Sequence, residues 1–177
     1  MRIVILGAGH LGYTIAELLS NEQHDVVVAD SDEEKLSKVR DSLDVLTITA
    51  NGTSPDFTRD PDIRDASVFV AVTEMDEVNI LASMLAKKNG IPHTIARIRD
   101  PEYNESLSLL QRETSIDNAI NPERATALEI SRLLRFPFAN NIETFAKGQI
   151  EMVEFRVQEN DVVVGCPLHA LSSRLPG

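Results

Sequence analysis

The sequence predicts an α/β fold in which six parallel strands form a doubly wound sheet. Two observations support this prediction. Short apolar segments rich in β-branched residues alternate with amphipathic segments through the first 137 residues. The first apolar segment, Arg2 to Leu6, leads directly into a G-x-G-x-x-G turn at Gly7 to Gly12. Regular alternation of strands and helices is typical of a parallel sheet with helices on both faces.

Each element follows from a local pattern. Apolar runs predict strands at residues 2–6, 26–29, 45–50, 68–72, 94–99 and 117–120. Apolar residues at helical spacing predict helices at about 11–20, 32–43, 77–89, 101–112 and 122–135. Ser31 and Glu34 have the spacing of a capping box before the second helix. The Asn121-Pro122-Glu123 sequence is a favourable helix start.

The pattern changes after residue 137. Residues 143–146, 149–157 and 162–164 are strand-like, and a helix is expected to begin near residue 167. This tail of about 40 residues is marginal for an independent core. We therefore expect a nucleotide-binding domain at residues 1–137 and the linker and truncated start of a second domain at 138–177.

The glycine turn lies in the strand–turn–helix context of a dinucleotide-binding fold of the Rossmann type. Gly7 permits a tight exit from the strand, and Gly9 permits close approach of a pyrophosphate. Gly12 lets the first helix pack closely on the first strand. The helix N-terminus supplies N–H groups and a positive dipole end for the phosphates. The predicted turn residues are Gly7, Ala8, Gly9, His10, Leu11 and Gly12.

Asp30 ends the second predicted strand, where a carboxylate can accept hydrogen bonds from both ribose hydroxyls of an adenosine. The next four residues, 31–34, include three acids and no arginine that would bind a 2′-phosphate. This acidic cluster disfavours NADP. The residues therefore favour NAD(H) or another adenine nucleotide.

Polar residues at other strand ends complete the candidate site. Thr73 and Glu74 follow the fourth strand, where they can contact the nicotinamide ribose or the phosphates. Arg97 lies in the fifth strand, and a buried arginine requires an anionic partner. That partner is either a nucleotide phosphate or a nearby carboxylate. Asn51 either flanks the adenine or forms an ordinary Asn-Gly turn.

Composition excludes several classes of function. The formal net charge of −11 and the pI near 4.8 disfavour binding to nucleic acid or anionic lipid. The single cysteine, Cys166, excludes an internal disulfide. The histidines lack metal-ligand spacing, so we predict no metal site. No apolar run approaches the roughly 20 residues that cross a bilayer. We expect a soluble, cytoplasmic protein that reaches the membrane only through a partner.

Residues for catalysis are difficult to identify. Neither Tyr13 nor Tyr103 has a lysine four positions later, so a Tyr-x-x-x-Lys motif is absent. The predicted sheet also leaves no separate domain to hold a substrate against a nicotinamide. We therefore predict that the protein is not an enzyme and that the nucleotide shifts a conformational equilibrium. A small NAD-dependent oxidoreductase is the alternative, which a turnover assay would distinguish.

The chain resembles the RCK (KTN) domains that regulate potassium channels and transporters, and especially the Trk-type potassium-uptake regulatory subunits. The resemblance covers essentially the whole chain. Its motifs in the fourth and fifth strands are more specific than the glycine turn. The segments that carry it are 2–12, 28–30, 70–79, 95–103, 121–123 and 164–168.

The resemblance implies NAD(H) binding, or ATP and ADP binding as in some relatives. Residues 7–11 would hold the pyrophosphate and Asp30 the adenosine ribose, with Thr73, Glu74 and Arg97 completing the site. Homo-oligomers, as dimers and rings, would lie beneath a membrane potassium transporter or channel. The tail would begin a regulatory RCK-C domain. The expected function is a regulatory subunit that gates potassium uptake, and the alternative is a regulator of another cation transporter.

The same resemblance implies that the helix after Asn121 packs domains or protomers together. This helix is apolar on more than one face, as such a role requires. Its apolar residues are Ala127, Leu128, Ile130, Leu133 and Leu134.

Overall fold

The computed structural model describes residues 1–100, 102–103, 116–137, 139–146, 149–159, 161, 163–167 and 169–170. The chain divides into two compact units, Met1–Arg124 and Ala125–Gly177. The domain boundary expected after residue 137 remains a prediction. Across the described residues, no helix combines the length and the apolar character that crossing a bilayer requires.

The first unit is built from alternating strands and helices. Its strands are β1 (Arg2–Leu6), β2 (Asp25–Asp30), β3 (Leu46–Thr49), β4 (Val68–Ala71), β5 (His93–Arg97) and β6 (Asn118–Ile120). The described helices of the chain are α1 (His10–Asn21), α2 (Glu33–Ser42), α3 (Pro61–Arg64), α4 (Asp76–Lys88) and α5 (Pro122–Arg135).

All six strands pair in parallel, in the order β3-β2-β1-β4-β5-β6. The predicted doubly wound sheet is therefore confirmed. The chain winds from β1 outward to β3, and then returns to place β4 on the other side of β1. The reversal lies between β1 and β4, and ligands of such sheets bind in the crevice at this point.

Two apolar clusters cover the two faces of the sheet. Successive side chains of a strand point to opposite faces, so Val4 and Leu6 belong to one cluster while Ile3 and Ile5 belong to the other. The central strands β1, β2 and β4 are buried on both faces, as their continuous apolar sequences predict. This packing holds the carboxyl ends of the strands rigidly at one edge.

Two local predictions are corrected. The N-cap of α2 is Asp32, which accepts hydrogen bonds from the N–H groups of Glu34 and Lys35, and it replaces the predicted Ser31 cap. Strand β5 ends at Arg97, two residues earlier than predicted. The Ile98 N–H still donates to the Ile120 carbonyl oxygen, but the N–H groups of Arg99 and Asp100 donate to the Asp76 carboxylate. The predicted helix at 101–112 lies outside the described residues except for 102 and 103.

The second unit contains an antiparallel hairpin of β7 (Ala139–Phe145) and β8 (Ile150–Phe155), with an irregularity in register between Ala139 and Asn141. The hairpin confirms two of the three strands predicted for the tail. The third is wrong for the residues that the structure describes, because Val163 and Val164 lie in a turn. The helix expected from residue 167 lies mostly outside the described residues.

Candidate functional site

The glycine turn connects β1 to α1 at the reversal of the sheet. Gly7 has a φ of +112°, a conformation that favours glycine, and a Cβ there would lie 2.9 Å from the Thr73 nitrogen. A Cβ on Gly12 would lie 1.8 Å from the Gly7 oxygen. These two glycines are therefore required by the fold itself. A Cβ on Gly9 would meet nothing within 4 Å, which leaves open space beside the turn.

The amino end of α1 faces this open space. Gly9 is the N-cap and has no side chain to bond the first N–H groups, and no acidic side chain lies in the first turn. The first N–H groups of a helix have no partner within the helix and carry its positive dipole end. Such an end attracts an anion. His10 is exposed, and its carbonyl oxygen accepts a hydrogen bond from the Thr14 hydroxyl.

Asp30 is bound to the glycine turn. Its Oδ2 accepts a hydrogen bond of 2.7 Å from the Ala8 N–H, and its Oδ1 accepts one of 2.9 Å from the Asp32 N–H. The sequence predicts that Asp30 binds a ribose, and it does not predict these two hydrogen bonds to backbone N–H groups of the chain itself. Each carboxylate oxygen has a second lone pair, so both oxygens keep acceptor capacity for hydroxyl groups.

Glu33 and Arg40 of α2 are already paired with each other. Glu33 accepts hydrogen bonds from the Thr49 hydroxyl and the Arg40 guanidinium. The Thr49 hydrogen bond, followed by that of Arg40, lowers the pKa of Glu33 below its ordinary value. Arg40 is therefore occupied by Glu33 and Thr47 and is not presented as a phosphate ligand.

Thr73 lies beside the glycine turn, as its position after β4 predicts. Its hydroxyl and its N–H both donate to Oδ1 of Asn79, at 2.7 Å and 2.8 Å. Glu74 is exposed, and its carboxylate lies 3.8 Å from the Lys35 Nζ of α2. Because β1 lies between β2 and β4 in the sheet, this ion pair spans the crevice at the glycine turn.

Arg97 pairs with Glu123 in the first turn of α5. The carboxylate alternative is therefore present in the structure, although Arg97 Nε is buried and has no hydrogen-bond partner among the described residues. Burial raises the pKa of Glu123, but the Arg97 hydrogen bond and charge outweigh it, so the pKa is lowered overall.

Asn51 follows β3, and its side chain is used locally. Its Oδ1 accepts hydrogen bonds from the N–H and the hydroxyl of Thr53, at 3.0 Å and 2.8 Å. The neighbouring Gly52 packs against Leu6, since a Cβ there would lie 2.3 Å from a Leu6 methyl carbon. This segment forms an Asn-Gly turn at the edge of the crevice, and contact of Asn51 with an adenine remains a prediction.

Two residues of the site were missed by sequence reasoning. Asp76 and Asn79 are buried in the first turns of α4, three positions apart and so on one face of the helix. Asp76 Oδ2 accepts the N–H groups of Arg99 and Asp100, both at 2.8 Å. Their signal is two polar residues at helical spacing directly after a buried strand.

A family model described as the TrkA-N domain matches residues 3–122. The chain belongs to the TrkA-N domain family. The matched residues contain the six-stranded sheet apart from Arg2, the glycine turn and each candidate site residue named above except Glu123. The resemblance predicted from the sequence is thereby confirmed.

Curated relatives align with most of this chain. A Trk system potassium uptake protein TrkA homolog of Archaeoglobus fulgidus is 38% identical over 93% of this chain and 37% of its own length. The Trk system potassium uptake protein trkA homolog 1 of Methanosarcina mazei is 41% identical over 93% of this chain and 42% of its own length. This chain therefore spans about two fifths of the length of these relatives.

Solved structures share the TrkA-N fold. The TrkA-N domain of the inner membrane protein ybaL from Escherichia coli has a TM-score of 0.65 at 16% identity, covering 75% of this chain and 96% of that one. The Kef CTD of Shewanella denitrificans, described in an AMP-bound form, has a TM-score of 0.59 at 18% identity, and the match covers 77% of this chain and 82% of that one. The GsuK channel bound to NAD has a TM-score of 0.57 at 15% identity, and the match covers 67% of this chain and 21% of that one. These likenesses concern the fold.

Proposed function

We propose that this TrkA-N domain binds NAD(H) in the crevice between the carboxyl ends of β1 and β4 and serves as the nucleotide-sensing part of a potassium-uptake regulator. The observation that carries the proposal is the preformed turn. Asp30 holds the Ala8 N–H at 2.7 Å, while the space beside Gly9 and the uncapped end of α1 remain open. This combination suits a pyrophosphate flanked by a ribose.

The nucleotide would extend across the reversal of the sheet. Its pyrophosphate would lie on the amino end of α1, at Gly9, His10 and Leu11, and its adenosine ribose at Asp30. The other half would extend toward Thr73 and Arg97. A 2′-phosphate would meet the acidic residues after Asp30, and this disfavours NADP(H).

Regulation rather than catalysis is supported by two arguments. The relatives are named as Trk system potassium uptake proteins. The sequence lacks a Tyr-x-x-x-Lys motif. We infer that the nucleotide acts on a conformational equilibrium, that the chain assembles as a homo-oligomer, and that its partner is a membrane potassium transporter at the cytoplasmic face.

Calorimetric titration with NAD⁺, NADH, NADP⁺, ATP and ADP tests the proposal. We expect NAD(H) to bind more tightly than NADP⁺, and Asp30→Ala to weaken binding at least about tenfold, which corresponds to about 1.4 kcal/mol. Asp41→Ala, an exposed acid at the far end of α2, is the matched control and should bind normally. Binding of none of the five nucleotides would refute the proposed site.

An adenine nucleotide sensor is the second candidate. It is favoured by the AMP-bound form of a structural neighbour with the same fold. Tight binding of ATP and ADP, with different affinities and no NAD(H) binding, would support this candidate. A search for hydride transfer under the same conditions tests the oxidoreductase alternative, and we expect no turnover.

A further inference from the structure

Asn79 lies at the point where the pairing of β4 and β5 ends. The last paired residues of these strands are Ala71 and Ala96. Thr73 and Arg97 follow this pair, so no backbone ladder connects them. The side chain of Asn79 bridges the gap, because it bonds Thr73 through both of its polar atoms and the Arg97 carbonyl oxygen through Nδ2 at 2.9 Å.

The hydrogen-bonding capacity of this amide is fully used. Oδ1 accepts from the N–H and the hydroxyl of Thr73, and Nδ2 donates to the carbonyl oxygens of Thr73 and Arg97. The partners determine the orientation of the amide, since a backbone N–H only donates and a carbonyl oxygen only accepts. The side chain is fully buried, so breaking any of these bonds leaves a polar group without water.

Contacts continue from Asn79 to the glycine turn. Thr73 N lies so close to Gly7 that an added Cβ would approach it to 2.9 Å. A shift of Thr73 would therefore disturb the turn, and a shift of β5 would move Arg97. The carboxyl end of β4, which flanks the crevice, is thus joined to the carboxyl end of β5 by one buried amide.

We propose that Asn79 is a positioning residue of the nucleotide site, which sets Thr73 and Arg97 in the arrangement that meets a bound dinucleotide. This inference rests on the proposed nucleotide-binding function. Asn79 does not itself contact the ligand, because its side chain is buried and its bonding capacity is used. It acts through the two residues that it ties together.

Titration of the chain with NADH, using a matched control, tests the assignment. We expect Asn79→Ala to weaken NADH binding by about tenfold or more, since several buried hydrogen bonds are lost. Ser83→Ala is the control, because Ser83 is buried one turn further along α4 and its hydroxyl has no hydrogen-bond partner among the described residues. It should change the affinity less than about twofold.

A double-mutant cycle separates positioning from general destabilisation. If Asn79 acts through Thr73 and Arg97, the effect of Asn79→Ala should fall to less than about threefold in a background that carries both Thr73→Ala and Arg97→Ala. An equal loss of NADH affinity in both backgrounds would overturn the proposal. Normal NADH binding by Asn79→Ala would overturn it as well, while leaving the proposed function intact. Failure of the unaltered chain to bind any nucleotide would refute the proposed function, and this inference with it.

Amide hydrogen exchange in the unaltered chain provides a test that does not depend on the variant folding. The Thr73 N–H should exchange as slowly as the amides of β4, because it is held by the buried Asn79. Exchange as fast as that of the exposed Glu74 amide would show that the hydrogen bond from the Thr73 N–H to Asn79 is not maintained in solution, and it would overturn the proposal.

Discussion

Asp30 and Ala8 are joined by a hydrogen bond of 2.7 Å from the Ala8 N–H to Asp30 Oδ2, across the carboxyl ends of β2 and β1. The second oxygen of the carboxylate accepts the Asp32 N–H. Asp30 therefore shapes the glycine turn whether or not a nucleotide is present, and its substitution should affect folding as well as binding.

Asp30→Ala should lower the free energy of unfolding without nucleotide by about 1–3 kcal/mol, because the Ala8 N–H loses its acceptor. Urea unfolding of the nucleotide-free chain measures this effect. Asp41→Ala, which removes an exposed acid of α2, should leave the unfolding midpoint unchanged. A native midpoint for Asp30→Ala would show that the bond does not stabilise the turn.

Two glycines of the same turn should respond differently to alanine. Gly12→Ala should destabilise the fold by about 3 kcal/mol or more, because its Cβ would lie 1.8 Å from the Gly7 oxygen. Gly9→Ala should leave stability nearly unchanged, since its φ of −69° is ordinary and its Cβ meets no atom within 4 Å.

The same Gly9→Ala variant should bind NADH at least about tenfold more weakly if a pyrophosphate lies against the turn. Thermal unfolding and calorimetry on both variants distinguish the two roles. Unchanged NADH affinity in Gly9→Ala would contradict the placement of the pyrophosphate.

Loss of the Arg97–Glu123 pair should make the protein more responsive to nucleotide. Glu123→Gln leaves the largely buried Arg97 guanidinium without its carboxylate, so we expect a loss of about 1–3 kcal/mol in the nucleotide-free state. A bound phosphate would restore a partner for Arg97. NADH should therefore raise the melting temperature of Glu123→Gln more than that of the unaltered chain. An equal or smaller increase would argue against an Arg97–phosphate contact.

Asp117 should make stability depend on pH. The Lys87 hydrogen bond lowers its pKa below the ordinary 3.8, in opposition to burial and with help from Thr94. Because the folded state has the lower pKa, the stabilisation is present above pH 3.8 and is lost as the pH falls through the folded value.

Asp117→Asn should therefore lower the urea midpoint at pH 7, and its difference from the unaltered chain should shrink as the pH falls below 3.8. Asp44→Asn, at an exposed position, is the control. A difference that persists undiminished at acidic pH would mean that the charge of Asp117 is not responsible.

The apolar residues of α5 provide a test of assembly. Leu128 and Leu134 are 55% and 76% exposed, and the helix has no buried residue. If α5 packs protomers together, Leu128→Ser with Leu134→Ser should weaken self-association, which sedimentation velocity measures. Glu129→Gln, on the same helix, should preserve it. Association that survives the serine substitutions would place the interface elsewhere.

Much of the fold follows from local sequence. The alternation of apolar runs and amphipathic segments predicts the six strands, and the turn at Gly7 to Gly12 marks the edge of the sheet where the candidate site lies. The errors are also local. Asp32, and not the predicted Ser31, is the N-cap of α2. Val163 lies in a turn, although its segment has strand propensity. A short apolar segment without a paired neighbour does not determine a strand.

The sequence by itself determined the order of the elements, the glycine turn and the acidic residue that follows β2, because these depend on patterns within a few residues. Only the tertiary structure decided that Asn79 ties Thr73 to Arg97, that Asp30 holds Ala8, and that Arg97 pairs with Glu123. These partners lie far apart in the chain. They meet only because parallel pairing brings the carboxyl ends of β1, β2, β4 and β5 to one edge of the sheet.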